Sequence, residues 1–248
     1  MANNDSPTLV ASDMVEAIGL LTRLPVRLGN APRGAAAAWA YPVAGLVVAA
    51  IGVVVAWLGT GLPPMVTAGL VLAAMTFVTG ALHEDGLADT VDGFWGGWDR
   101  ERRLAIMKDS HIGTFGVLAL IFSVAMRWGC LAALAGTASI WCVIIVFACV
   151  SRTPMVVVMH VLPNARGAGL SSQTGRPNAQ TTAVAVSIAF LIAALSIGLS
   201  AIGLTVVLGI TTLVLMALAR RKIGGQTGDV LGATQQVSEI AILIFLLA

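Results

Sequence analysis

The sequence predicts an all-α protein, a transmembrane helical bundle of about seven spans, and three observations carry that prediction. Charged residues make up only 10% of the 248, whereas a soluble domain carries about 25%. Too few charges are present to coat a water-facing surface, so lipid solvates much of the chain, in keeping with a mean hydropathy of +0.93. Uncharged stretches of span length, roughly 20 residues each, alternate with short connections.

The elements follow in order. Residues 1–34 are polar or mildly amphipathic, unlike a secretory leader. From Val15 to Leu24 apolar and polar residues alternate at roughly helical spacing, which suits a helix lying in the membrane interface. Residues 35–82 hold no charge and divide at Gly59-Thr60-Gly61-Leu62-Pro63-Pro64 into spans 35–58 and 65–82. Further spans are expected at 113–134 and 139–159, joined across Gly136-Thr137, and at 181–199 and 202–219. The apolar stretch 237–248 completes a seventh only if its helix begins in the polar residues before it.

Charge orients these spans. Twelve of the 14 basic residues fall in alternate connections: Arg23, Arg27 and Arg33; Arg100, Arg102, Arg103 and Lys108; Arg166 and Arg176; Arg220, Arg221 and Lys222. The intervening connections carry none, so the positive-inside rule puts the charged ones in the cytoplasm. The two remaining cations lie within spans. Arg152 is expected to turn inward, to phosphate or to acidic groups, because an arginine in hydrocarbon needs a partner. Arg127 is expected to snorkel to the interface. The net charge of +2 and the absence of a basic tail argue against a nucleic-acid partner. Cys130, Cys142 and Cys149 show no metal-ligand spacing and read as small core residues.

Residues 83–111 carry seven of the twelve acidic residues: Glu84, Asp85, Asp89, Asp92, Asp99, Glu101 and Asp109. If 84–92 is helical, Asp85, Asp89 and Asp92 share one face, with Glu84 to its side. Carboxylates so close repel one another unless a cation joins them, and hard oxygen ligands select Mg²⁺, Mn²⁺ or Ca²⁺ over zinc. Mg²⁺ usually takes one or two carboxylates together with substrate phosphates, which implies a phosphate-bearing ligand. The bland alternative, solvated acids paired with arginines, suits Asp99 and Glu101. His83 and His111 flank the segment. Gly86, Gly93, Gly96 and Gly97 suggest breaks in the helix. A second polar segment, Gly224-Gly225-Gln226-Thr227-Gly228-Asp229-Val230-Leu231-Gly232-Ala233, offers backbone N–H groups to an anion and one further acid, Asp229, though a plain turn accounts for it equally well.

His83-Glu84-Asp85-Gly86-Leu87-Ala88-Asp89-Thr90-Val91-Asp92-Gly93 resembles the signature of the cobalamin synthase (adenosylcobinamide-GDP ribazoletransferase) family. The likeness continues through 99–102 and 107–116, and recurs at 21–25, Tyr41-Pro42, Ala165-Arg166 and 225–229. It implies one integral-membrane catalytic domain in the cell inner membrane, working face to the cytoplasm, that uses Mg²⁺. The implied reaction joins adenosylcobinamide-GDP to α-ribazole or its 5′-phosphate with release of GMP. The expected metal ligands are Glu84, Asp85, Asp89, Asp92 and Asp229. Expected substrate contacts are Arg102, Arg103, Lys108, Arg152, Gly225, Thr227 and Gly228. Asp92 or His83 would accept the hydroxyl proton. The resemblance leaves homo-oligomerisation open. Two rivals are weighed against it. A CDP-alcohol type phosphotransferase wants an Asp-Gly-x-x-Ala-Arg pattern, which is absent here. An ion-coupled transporter places its carboxylates inside spans, where only Glu239 qualifies.

Overall fold

The computed structural model describes residues 9–248 apart from 28, 30, 136, 138 and 139, so the turn at Gly136 and the first eight residues lie outside it. Among the described residues there is helix and no strand, only an isolated bridge between Asn164 and Gln226. The elements are α1 (Ala11–Leu21), a 3₁₀ turn (Gly34–Ala40), α2 (Tyr41–Leu58), α3 (Pro64–Thr79), α4 (Leu82–Gly96), α5 (Arg100–Ile106) and α6 (Thr114–Leu134). They continue with α7 (Ile140–Val150), α8 (Thr153–Val161), α9 (Leu170–Thr174), α10 (Ala179–Ile197), α11 (Ser200–Ile223) and α12 (Gly228–Leu247).

Six helical stretches are long and apolar enough to cross a membrane: Gly34–Leu58, Thr114–Leu134, Ile140–Val161, Ala179–Ile197, Ser200–Ile223 and Gly228–Leu247. α3, at 16 residues, qualifies only together with α4, from which it is bent by 85°, so the crossings number six, or seven if that bent pair is one. The protein is therefore a multi-pass membrane protein. Its last span is complete because α12 starts at Gly228, inside the polar segment, where the Thr227 hydroxyl caps it by accepting from Val230 N–H. Large side chains such as Phe77, Leu195 and Leu199 stand out from the bundle, as lipid solvation allows. Inside it, small residues let backbones meet. A Cβ on Gly45 would lie 2.6 Å from the Ala148 carbonyl oxygen, which fixes how closely α2 approaches α7.

Connections at one end carry nearly all the polar structure: α1, α4, α5, the segment 162–178 and the turn at 224–227. Residues 83–111 are not a loop. Gly80 and Ala81 both take left-handed backbone conformations, at φ 64° and 54°, and this double turn starts α4. The alanine is the strained member of the pair, since a Cβ disfavours that region. Asp13, fully buried on α1, pairs with Arg33 at 2.8 Å and accepts from the Trp39 indole at 2.6 Å. The N-terminal helix is thus pinned to the start of the first span.

Of the four glycines expected to break the segment, two close α4 and two do not interrupt it. Gly96 is its last residue and Gly97 its C-cap. Gly93 instead makes room for α5 and its C-cap Met107, whose side chain would collide with a Cβ there. Gly86 makes room for α12: its Cβ would meet the Asp229 carbonyl oxygen at 2.8 Å and Gly232 Cα at 3.1 Å, while a Cβ on Gly232 would meet the His83 backbone at 3.2 Å. The two helices cross backbone against backbone at these glycines.

Candidate active site

That crossing assembles the site. It sets Asp85 and Asp89 of α4 beside Asp229 in the first turn of α12, and all three carboxylates feel one another. Arg166, from the segment between α8 and α9, forms an ion pair with Asp229 at 2.9 Å. The segment is held by backbone pairing: Ala165 N–H donates to the Gln226 carbonyl at 2.8 Å, and Gln226 N–H to that of Pro163 at 2.9 Å. Asp85, Asp229 and Arg166 line a cleft of about 160 Å³ between α4, α12, α1 and α8. Asp85 is exposed, and Asp89 and Asp229 are half-buried. On α4, outside the six long spans, burial together with Asp229 and Asp85 pushes Asp89 up to about 7. Crowded carboxylates of this kind favour either a proton or a cation among them. Among the described residues, no three His, Cys, Asp or Glu side chains are gathered into a ready-made metal cage.

Other expected site residues lie elsewhere. Glu84 points away from Asp85 into the bundle, where Arg127 binds it at 3.1 Å and Glu239 at 2.8 Å. Arg127 is about 1% exposed and does not snorkel. Its two carboxylate partners make burial tolerable. Gln236 donates to Glu84 and Gln235 to Glu239, extending the network. Arg152 does turn inward: it is buried at the α7–α8 break, donates to the Ala148 carbonyl, and lines the same small interior space as His83, Glu84 and Glu239. His83 is buried too and lines both spaces, this interior one and the cleft of Asp85 and Asp229, and its Nε2 has no partner among the described residues.

Asp92 is separated from the cleft carboxylates. One of its oxygens accepts from Gly113 N–H at 2.7 Å and the other from Gly116 N–H at 2.8 Å, so it caps the start of α6. This is the N-terminal arrangement a helix favours for an anion. Arg103 is engaged likewise, donating to the carbonyls of Gly97, Trp98 and Lys222. Arg102 lies 5.8 Å over the Trp98 ring, and Lys108 is exposed. Asp99 caps α5 at 2.7 Å. On the exposed connection before α6, His111 is bound 2.7 Å from Asp109, which raises the imidazole and lowers the carboxyl. Gly225 packs against the Pro163 carbonyl, and the Thr227 hydroxyl caps α12. Gly228 lines the cleft.

Sequence reasoning passed over Arg166 as a site residue and misjudged Arg127. The signal for Arg166 is its place in the one connection, 162–178, that has basic residues and no acid of its own. For Arg127 it is the coincidence of one cation and one anion, Glu239, in different spans.

Fold and site together define a polytopic membrane enzyme with carboxylates and a guanidinium converging at one end of its bundle. The cobalamin-5-phosphate synthase family matches residues 13–247, and the chain belongs to that family, whose members are transferases. It is 43% identical over 242 residues to an adenosylcobinamide-GDP ribazoletransferase of Bradyrhizobium diazoefficiens, covering 95% of this chain and 93% of that one. The relative of the same description from Mesorhizobium japonicum is 42% identical over 244 residues, covering 96% and 94%. No solved structure matches the chain.

Proposed function

We propose that the chain joins adenosylcobinamide-GDP to α-ribazole or its 5′-phosphate and releases GMP, with Mg²⁺ held between its carboxylates and the substrate pyrophosphate. The observation that carries this is the convergence of Asp85, Asp89, Asp229 and Arg166 at the α4–α12 crossing. The donors are hard oxygens, and they form no complete cage of their own. That suits a divalent cation that takes one or two carboxylates and completes its shell with phosphate. Bound there, it would neutralise charge on the pyrophosphate.

The remaining work falls to the chain's own residues. Arg166 is placed to exchange its carboxylate partner for a phosphate oxygen. The glycine crossing holds the carboxylates on rigid helices, and transfer of this kind depends chiefly on positioning and charge. Asp85, exposed at the mouth, is free to take the proton of the attacking ribose hydroxyl.

The segregated basic residues support an orientation in the inner membrane with this end in the cytoplasm. A cysteine replacing Glu101 is then labelled from the cytoplasm and one replacing Leu62 from outside. The activity is tested by assaying GMP release from adenosylcobinamide-GDP by purified protein in detergent, with and without ribazole and with a chelator. Release that needs neither ribazole nor a divalent ion would sink the proposal.

A further inference from the structure

The cleft is chemically uneven. Its buried part is mainly apolar: Leu21 of α1 and Met155 and Met159 of α8 are each less than 5% exposed, with Tyr41 beside them, and His83 and Ser171 are the buried polar exceptions. Its charged groups, Asp85, Asp229 and Arg166, are the half-buried or exposed ones, so they form the mouth. A hydrophobic end closed by a polar rim takes a molecule that is apolar at one end and hydroxylated or charged at the other.

Size narrows the choice. A dry apolar cavity of about 150 Å³ holds benzene, so about 160 Å³ admits a one- or two-ring base and excludes a corrin macrocycle. Two such bases belong to the proposed reaction, guanine and benzimidazole. Guanine carries donors and acceptors around its edge, more than the one unpartnered His83 Nε2 can satisfy, and burying the rest against leucine and methionine leaves them unpaired. The ribosylated benzimidazole presents only one free ring nitrogen and two apolar faces. Thioethers pack well on such faces.

We propose that the inner cleft is the base pocket of the nucleophilic substrate: Leu21, Met155 and Met159 hold the benzimidazole so that its ribose emerges among Asp85, Asp229 and Arg166. This rests on the transferase reading. It also gives α1 a role, because the helix pinned by Asp13 supplies one wall of the pocket.

Met159→Trp fills the pocket from α8 and Leu21→Trp fills it from α1. Each is expected to raise KM for α-ribazole at least about 10-fold while KM for adenosylcobinamide-GDP stays within about 2-fold. Met159→Ala, which only removes volume, covers the case in which the tryptophan variants do not fold, and the same one-sided change in KM is expected. Independently of turnover, α-ribazole alone should raise the thermal midpoint of the wild-type protein, guanosine should not, and the pocket variants should lose the shift. Stabilisation by guanosine, or a KM change confined to adenosylcobinamide-GDP, overturns the assignment and gives the pocket to the nucleotide. Pocket-dependent ribazole binding without GMP release would sink the transferase reading alone. GMP release with every ribazole parameter unmoved in the variants would sink the pocket alone.

Discussion

Glu84 and Asp85 are chain neighbours on α4, and they show two opposite uses of a carboxylate. Glu84 turns inward to a cluster with Arg127 and Glu239 in which every charged side chain is about a tenth exposed or less. Asp85 turns outward to a cleft where the carboxylates outnumber the single guanidinium of Arg166. The inner cluster is paired and enclosed, so its charges hold helices together. The outer one is left short of positive charge and open to solvent, so a ligand can supply it. Pairing and access, rather than residue type, separate the acids that hold the fold from those proposed to work.

The largest effect expected from breaking that contrast is at Arg127. Arg127→Met strands Glu84 and Glu239 in the interior, which costs about 3–5 kcal/mol. Folded protein recovered from membranes, followed by size-exclusion chromatography in detergent, should fall sharply. The triple variant Arg127→Met, Glu84→Gln, Glu239→Gln removes the charges together and should recover most of it. Recovery no better than for the single variant would mean that the cluster does not act through its charges.

Next come the outer acids. Asp85→Asn, Asp89→Asn and Asp229→Asn should each lower turnover by about 100-fold with the thermal midpoint unchanged or raised, because one of several repelling charges is gone. A drop in folded yield matching the drop in turnover would place them with Glu84 instead.

Asp92 sharpens the comparison from between the two groups. Asp92→Ala removes a cap and should cost about 1–2 kcal/mol of stability, while Asp92→Asn, which keeps one acceptor, should retain turnover far better than the cleft variants. If Asp92→Asn were as inactive as Asp85→Asn, Asp92 would count among the working acids. The smallest effect belongs to Glu101→Gln: the side chain is 80% exposed, and turnover should stay within a few fold of wild type.

The bundle was legible in the sequence because lipid imposes long uncharged runs and the charged connections alternate with bare ones. The last span was the hardest to see. A helix that begins with Gly228 and Asp229 and carries Gln235, Gln236 and Glu239 does not look apolar, and its polar residues are accommodated by partners on α4 and α6, at Ser151 between α7 and α8, and on α12 itself. Helical spacing correctly put Asp85 and Asp89 on one side of α4. It gave no sign that Asp92, at the same spacing, meets the N-terminus of α6, since that contact joins residues 21 and 24 positions apart. Arg127 was misread for a related reason: snorkelling is a property of one helix, and pairing with Glu239 is a property of two. Gly86 was seen as a break because a sequence shows its cost to a helix and not the helix that crosses it.

The buried cluster also sets a timetable. Synthesis proceeds from the N-terminus, so Glu84 and Arg127 exist while α12 is still unmade. An arginine at mid-span costs about 2.5–3.5 kcal/mol on insertion scales, and Glu84 waits on α4 to offset part of it. Glu239 arrives last, eleven positions into the final helix, and reaches a guanidinium already in place. The same helix brings Asp229 to the cleft. The chain therefore cannot complete its proposed set of cleft acids until the charge left unbalanced in its interior is settled, and a bundle released early lacks both its last helix and its last cleft acid.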